Sequence, residues 1–158
     1  MAIMDAKATF AYEKTVAGSA NAVITGSTIC PEGVITSGAI QVVDLGKAGD
    51  AVGQELTLKA YVGETALTGS SGATVQVVLQ TGGDNAINSA GSAVDSNFHD
   101  LYSGPVVAVG SATTGKGAKL FECRVPGGAE RYLRAGVRIG TAATTGSGTV
   151  NIFLTKDL

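Results

Sequence analysis

Residues 110–117, GSATTGKG, come closest to a motif with known chemistry. A phosphate-binding loop has four residues between its first glycine and a Gly-Lys pair. A Ser or Thr that binds Mg²⁺ follows, and then a helix whose N-terminal amides hold phosphate. Here Gly117 stands where the Ser or Thr is needed, and the next residues, AKLFECRV, alternate as a strand does. Because both the metal ligand and the helix are missing, the sequence predicts a glycine-rich hairpin loop with an exposed Lys116 and no nucleotide binding.

The one histidine, His99, lies between Asp95 and Asp100 in the run SNFHDLYSG. Any Ser-His-Asp or Cys-His mechanism would have to use it, yet no nucleophile sits in a recognisable setting and G-x-S-x-G does not occur. A cupin-type metal site needs several histidines. We interpret His99 as a loop residue with solvated neighbours and predict that the protein is not an enzyme.

Oxygen and sulfur ligands are also sparse. Asp84, Asn85 and Asp95 offer oxygens to Ca²⁺, but their spacing fits no calcium loop, so we predict no metal and no cofactor. Cys30 and Cys123 are the only cysteines. They leave a disulfide open, but Cys123 falls on the apolar phase of its strand, which favours a buried free thiol.

Charge and hydropathy narrow the range of partners. The net charge is −2, and the acidic residues offset a local basic cluster at Arg131, Arg134 and Arg138, so we expect no nucleic acid partner. The first residues, MAIMDAKATFAYEK, lack the pattern of a signal peptide. No apolar run approaches the roughly 20 residues that cross a bilayer. We therefore expect no membrane partner and a protein made and used in a cytoplasm, or in something assembled there.

Period-two alternation of apolar and polar residues dominates the chain, and helical period is nowhere sustained. In LTLKAYV and VQVVLQ, successive side chains point to opposite faces of an extended strand, which is typical of antiparallel strands with one buried face. Short segments rich in Gly, Ser and Thr separate the strands. The sequence predicts an all-β protein, an antiparallel jelly-roll-like β-sandwich of about eight strands. The predicted strands are 39–45, 54–62, 73–81, 106–110, 119–125, 131–139 and 149–155.

Two regions are expected along the chain. Residues 1–36 alternate weakly, and we interpret them as an N-terminal arm or a pair of peripheral strands, poorly ordered until a partner is bound. Residues 37–158 form the β-sandwich domain.

The strand at 131–139 is the best candidate for a partner interface. Its alternation places Tyr132, Arg134 and Arg138 on one face, and interfaces favour Tyr and Arg because each combines a large contact area with hydrogen bonding. An ordinary solvated face remains the alternative. From the N-terminal region we add the aromatic residues Phe10 and Tyr12 to the candidate interface.

The order of strands and turns resembles a known family. The runs IQVVDLG, ELTLKAYV, ATVQVVLQTGGDNAI, PGGAERYLRAGVRIG and GTVNIFL are similar to small capsid cement (decoration) proteins of tailed bacteriophages, of the type found in a Bordetella phage. The resemblance covers residues 38–154 and is strongest in VVLQTGGDNA and in RYLR after the PGG turn. The N-terminal arm and the additional Gly/Ser-rich loops depart from it.

The resemblance implies a jelly-roll-like sandwich on the outer surface of a virion capsid, assembled in the host cytoplasm. There it would bridge capsomers of major capsid protein, as a homodimer or, as second choice, a homotrimer. The alternative is a receptor- or carbohydrate-binding β-sandwich module of a virion, since jelly rolls serve both uses. The absence of Trp and the presence of only four Tyr disfavour a sugar site.

Overall fold

A computed structural model describes residues 9–25, 28–29, 41–46, 56–110, 113–142 and 148–156. Within these ranges the chain forms ten strands and two single-turn 3₁₀ helices, Asp84–Ala86 and Asp95–Asn97. The strands are β1 (Thr9–Thr15), β2 (Val23–Thr25), β3 (Thr28–Ile29), β4 (Gln41–Asp44), β5 (Leu56–Val62), β6 (Thr74–Gly82), β7 (His99–Ala108), β8 (Lys119–Arg124), β9 (Tyr132–Ile139) and β10 (Thr149–Lys156).

The strands form two sheets. Sheet I has the order β1-β10-β5-β8, and sheet II has the order β3-β4-β9-β6-β7, with β2 also paired to β9. All pairs are antiparallel except the short β3–β4 pair. From β4 onward the chain changes sheet at every connection except β6–β7, and the first long strand pairs with the last. This is the double Greek-key order of a jelly roll, so the predicted all-β sandwich is confirmed.

The core lies between the two sheets and is built from alternate residues of each strand. Leu58, Ala60 and Val62 of β5 are at most 2% exposed, while the residues between them are more accessible or polar. Val75, Val77 and Leu79 of β6 lie in the same cluster. Because one face of each strand is buried, the sequence alternation predicts the bounds of β5, β6, β8, β9 and β10 to within two residues.

The seventh strand differs most from the prediction. β7 begins at His99, seven residues before the predicted start, so His99 lies in a strand and not in a loop. It is nevertheless exposed, as are Asp100 and Tyr102. Among the described strands β7 pairs with β6 alone and lies at the edge of sheet II. Its first half buries too few side chains to alternate in hydropathy.

The loop that resembles a phosphate-binding motif joins the two sheets. It leads from β7 of sheet II to β8 of sheet I, so it is not the hairpin between paired strands that the sequence predicts. The hydroxyl of Thr114 is buried and donates to the Gly110 carbonyl at 2.9 Å. Lys116 is exposed and pairs with Glu64. A strand, not a helix, follows this loop.

The described part of the N-terminal region supplies an edge strand to each sheet. β1 pairs with β10 in sheet I and β2 pairs with β9 in sheet II. Phe10 is fully buried and Val16 is 2% exposed, and both belong to the core cluster. These two side chains fill positions between the sheets, so β1 and the residue that follows it pack against the rest of the sandwich. Residues 1–8 and 30–40 lie outside the described ranges.

Candidate interaction surface

The outer face of sheet II is the side turned away from sheet I, and it carries the predicted interface residues of β9. Leu133, Ala135 and Val137 point into the core between the sheets. The residues between them point outward because successive side chains of a strand alternate. The face therefore presents Tyr132, Arg134 and Arg138.

Residues 83–98, here called the covering segment, fold over one end of this outer face. The segment connects β6 to β7 and contains both 3₁₀ turns, Asp84–Ala86 and Asp95–Asn97. An isolated bridge pairs Ile87 with Ala93. A second, smaller hydrophobic core lies between the covering segment and sheet II. Its buried members are Val42, Ala86, Phe98 and Tyr132.

Arg134 fastens the covering segment to the sheet. Its side chain is 4% exposed, and its Nη1 donates to Asp95 Oδ1 at 2.6 Å. Its Nε donates to Gln80 Oε1 at 2.8 Å, and its guanidinium carbon lies 4.0 Å from the centroid of the Phe98 ring. The charged end and the flat face of this guanidinium are thus both used inside the fold.

Arg131 holds the same segment at the margin of the face. Its Nε and Nη2 donate to the two carboxylate oxygens of Asp44 at 3.1 and 3.0 Å, and its Nη1 donates to Asp84 at 2.9 Å. The bonds from Arg131, helped by the backbone amide of Gly46, outweigh the effect of burial and hold the pKa of Asp44 below its ordinary value. Asp84 comes from the covering segment, so this second arginine also joins that segment to sheet II.

Arg138 lies beyond the covering segment and stays accessible. Its Nη2 donates to Asp100 Oδ2 at 2.7 Å and its Nη1 donates to Gln76 Oε1 at 3.2 Å. The side chain is 36% exposed. Burial acts to raise the pKa of Asp100, but bonds from Arg138, Gln80 and Ser103 outweigh it, so the net shift is downward.

The structure separates the five predicted interface residues into two groups. Phe10, Tyr132 and Arg134 are at most 5% exposed and make their contacts within the fold, so these three side chains offer little surface to a partner. Arg138 remains on the outer face of sheet II, and Tyr12, 37% exposed, lies on β1 of sheet I. The two accessible residues therefore lie on different sheets.

Sequence reasoning missed two exposed valines on the outer face. Val23 and Val106 are 42% and 64% exposed, and both lie in register with the row that contains Arg138. The adjacent Val106 and Val107 do indicate an exposed valine, since neighbouring strand residues face opposite sides and one of the two must point away from the core. A cavity of about 220 Å³ lies beside Val106 and Arg138.

A second groove, of about 270 Å³, lies on sheet I between Tyr61, Glu13 and Lys116. The Glu13 carboxylate accepts bonds from the Thr149 hydroxyl at 2.6 Å and the Asn151 amide at 2.7 Å. It also accepts one from the backbone amide of residue 64 at 3.0 Å. These polar groups mainly satisfy one another and join β1 to β10, which indicates a structural role.

The described residues show few other reactive groups. No cluster of three or more His, Cys, Asp or Glu side chains in them is placed to hold a metal ion. Cys123 is a free, half-buried thiol whose pKa is raised by burial; Cys30 lies outside the described ranges. No helix in the described part is long and apolar enough to span a membrane.

Comparison with known proteins adds no family assignment. No protein-family model matches this chain, and no curated protein matches it significantly.

Proposed function

We propose that this protein is a capsid cement protein that binds the outside of a bacteriophage capsid and bridges capsomers of major capsid protein. One observation carries the proposal. The runs on which the resemblance rests coincide with β4, β5, β6, β9 and β10. The likeness therefore follows five strands of the sandwich in their chain order, together with the turn that follows β6 and the turn that precedes β9.

The architecture suits a passive mechanical role. Packaged DNA presses outward and pulls capsomers apart, so a sandwich bound across their joints adds an interface that must break before the shell opens. Many copies on one shell make modest single contacts collectively strong. Arg131 and Arg134 join the covering segment to sheet II, and a surface held in place before binding loses less entropy on binding.

The same proposal includes self-association as a homodimer, or a homotrimer as second choice. A symmetric oligomer presents two or three copies of one capsid-binding surface, so it can reach more than one capsomer at a joint.

Removal and restoration of the protein test this function. Particles of the encoding phage that lack it are expected to assemble with normal shape, yet to lose DNA at a lower temperature or on osmotic shock. Adding the purified chain back should restore the resistance, and electron cryomicroscopy should show density on the outer surface at the joints. Stripped particles that are as robust as complete ones would contradict the proposal.

The same purified chain and particles also test the alternative, a receptor- or carbohydrate-binding function. If the purified chain leaves particle stability unchanged and instead binds host cells or glycans, the alternative is correct.

A further inference from the structure

Four side chains form a row across the outer face of sheet II, at the end that the covering segment does not reach, here called the uncovered end. The strand register places Val23 beside Arg138, Arg138 beside Gln76, and Gln76 beside Val106. Cross-strand partners share a face and adjacent strands lie about 4.8 Å apart, so the row spans about 14 Å. With Val23 42% and Val106 64% exposed, an exposed apolar group stands at each end of the row, with the polar Arg138 and Gln76 between them.

This end of the face differs from the end that the chain covers itself. At the end under the covering segment, Arg134 is buried and its neighbour Gln80 is half-buried. At the uncovered end, Val23 and Val106 are two of the four large apolar side chains exposed in the described ranges. Val106, with the cavity and Arg138 beside it, gives this end of the face the combination of apolar area and a guanidinium that interaction sites favour.

The cavity at this end is large enough for one apolar side chain. It measures about 220 Å³, and a cavity of about 150 Å³ already accommodates a benzene ring. Val106 and Ile139 give it apolar walls, while Thr74, Asn21 and Thr141 give it neutral polar groups.

Arg138 supplies a positioned donor at the margin of this cavity. Its bonds to Asp100 and Gln76 fix the guanidinium, and a guanidinium has five N–H donors, more than these two bonds use. The charge of Arg138 is already balanced by Asp100, and its other neighbours in the cavity wall are uncharged. A neutral acceptor such as a main-chain carbonyl therefore fits this position better than a second carboxylate.

Building on the proposed function, we propose that this end of the outer face binds an uncharged segment of the major capsid protein. One apolar side chain of that segment enters the cavity beside Val106, and a main-chain carbonyl next to it accepts a hydrogen bond from Arg138.

Binding of the full-length chain to capsids stripped of it tests this assignment. Val106→Asp places a charge in the cavity mouth and is expected to weaken binding by at least about tenfold, as for a central contact. Arg138→Lys keeps the charge but removes the planar set of donors, and is expected to weaken binding severalfold. Thr15→Asp is the matched control, because it adds the same charge at an exposed residue on β1 of sheet I, and it should bind normally. Unfolding midpoints of all three variants establish that each is folded.

The outcomes distinguish a failure of the proposed binding surface from a failure of the proposed cement function. Normal binding by folded Val106→Asp overturns the surface and leaves the cement function standing. Weak binding by Thr15→Asp, with no effect of Val106→Asp, moves the contact to sheet I and also overturns it. If the unaltered chain does not bind stripped capsids, the cement function itself is contradicted and the surface assignment with it.

Discussion

The guanidinium of Arg134 lies over the ring of Phe98, with its central carbon 4.0 Å from the ring centroid. This contact joins β9 to the end of the covering segment and closes the smaller hydrophobic core from above. Asp95 completes the arrangement, but its carboxylate is 82% exposed while the arginine side chain is 4% exposed. The stabilisation therefore comes mainly from the buried arginine, its stacking and its bond to Gln80, and less from the ion pair, which water screens.

Replacing Arg134 should destabilise the protein substantially. Arg134→Ala removes a buried side chain, its ring contact and two hydrogen bonds, so we expect a loss of about 2–4 kcal/mol in the free energy of unfolding. Urea denaturation measures this value. Arg131→Ala is the matched control, since its side chain is 27% exposed and water screens its ion pairs, so it should lose clearly less stability. Equal losses in the two variants would contradict the role assigned to Arg134.

Phe10 tests whether the N-terminal strand belongs to the fold. The side chain is fully buried in the core, so Phe10→Ala should cost about 3–5 kcal/mol. Tyr12→Ala, two residues away and exposed, should cost less than about 1 kcal/mol. Limited proteolysis gives a second readout: in the isolated protein, residues 9–25 should resist cleavage as strongly as β5 does. Rapid cleavage there would support a poorly ordered arm instead.

The sequence predicts the strands that have one face in the core and one in solvent. β5, β6 and β10 repeat with period two because their alternate side chains meet the opposite sheet. The period-two pattern does not predict β1, because the consecutive residues Thr9, Phe10 and Ala11 are all buried. Irregular register with β10 on both sides of Ala11 interrupts its period as well.

The candidate surface is harder to predict because burial there depends on distant residues. Alternation correctly assigns Arg134 to the outer face, but its burial depends on Asp95 and Phe98, which precede it by more than 35 residues. The covering segment reads as a polar loop rich in Gly, Ser and Asn, and no local pattern shows that it returns to the sheet. Arg134 and Arg138 occupy equivalent positions in the alternation of β9, so the sequence pattern does not distinguish the buried arginine from the accessible one.

Gly136 permits β2 to approach β9. A Cβ atom at this position would overlap the carbonyl oxygen of Ile24 and lie 2.7 Å from the Thr25 methyl group. Gly136→Ala should therefore displace β2 and cost about 1–3 kcal/mol, with faster hydrogen exchange at the β2 amides. Gly127→Ala is the control, because its Cβ would meet no atom within 4 Å, and it should be neutral or slightly stabilising. Unchanged exchange in β2 of the Gly136 variant would contradict this packing.

Glu13 connects β1, β10 and the residues after β5 through one carboxylate. It adopts a positive φ of 45°, a conformation uncommon for a residue with a side chain. Its backbone amide donates to Asn151 Oδ1 at 2.7 Å, while the Asn151 amide donates back to its carboxylate. Burial acts to raise the pKa of Glu13, but the bonds from Thr149, Asn151 and the residue 64 amide, with the charge of Lys116, outweigh it and lower the pKa overall.

The lowered pKa makes Glu13 a source of acid sensitivity. The pKa of Glu13 is lower in the folded state than in the unfolded state. Its contribution to stability is therefore fully present above about pH 4.3, the ordinary pKa of Glu. The contribution is lost as the pH falls through the folded-state pKa. Glu13→Gln should be less stable than the unaltered chain at pH 6 and should lose less stability between pH 6 and pH 3, as followed by urea midpoints. Glu130→Gln removes the same charge without these bonds and should keep the acid sensitivity of the unaltered chain. If Glu13→Gln loses as much stability on acidification as the unaltered chain, the carboxylate does not carry the effect.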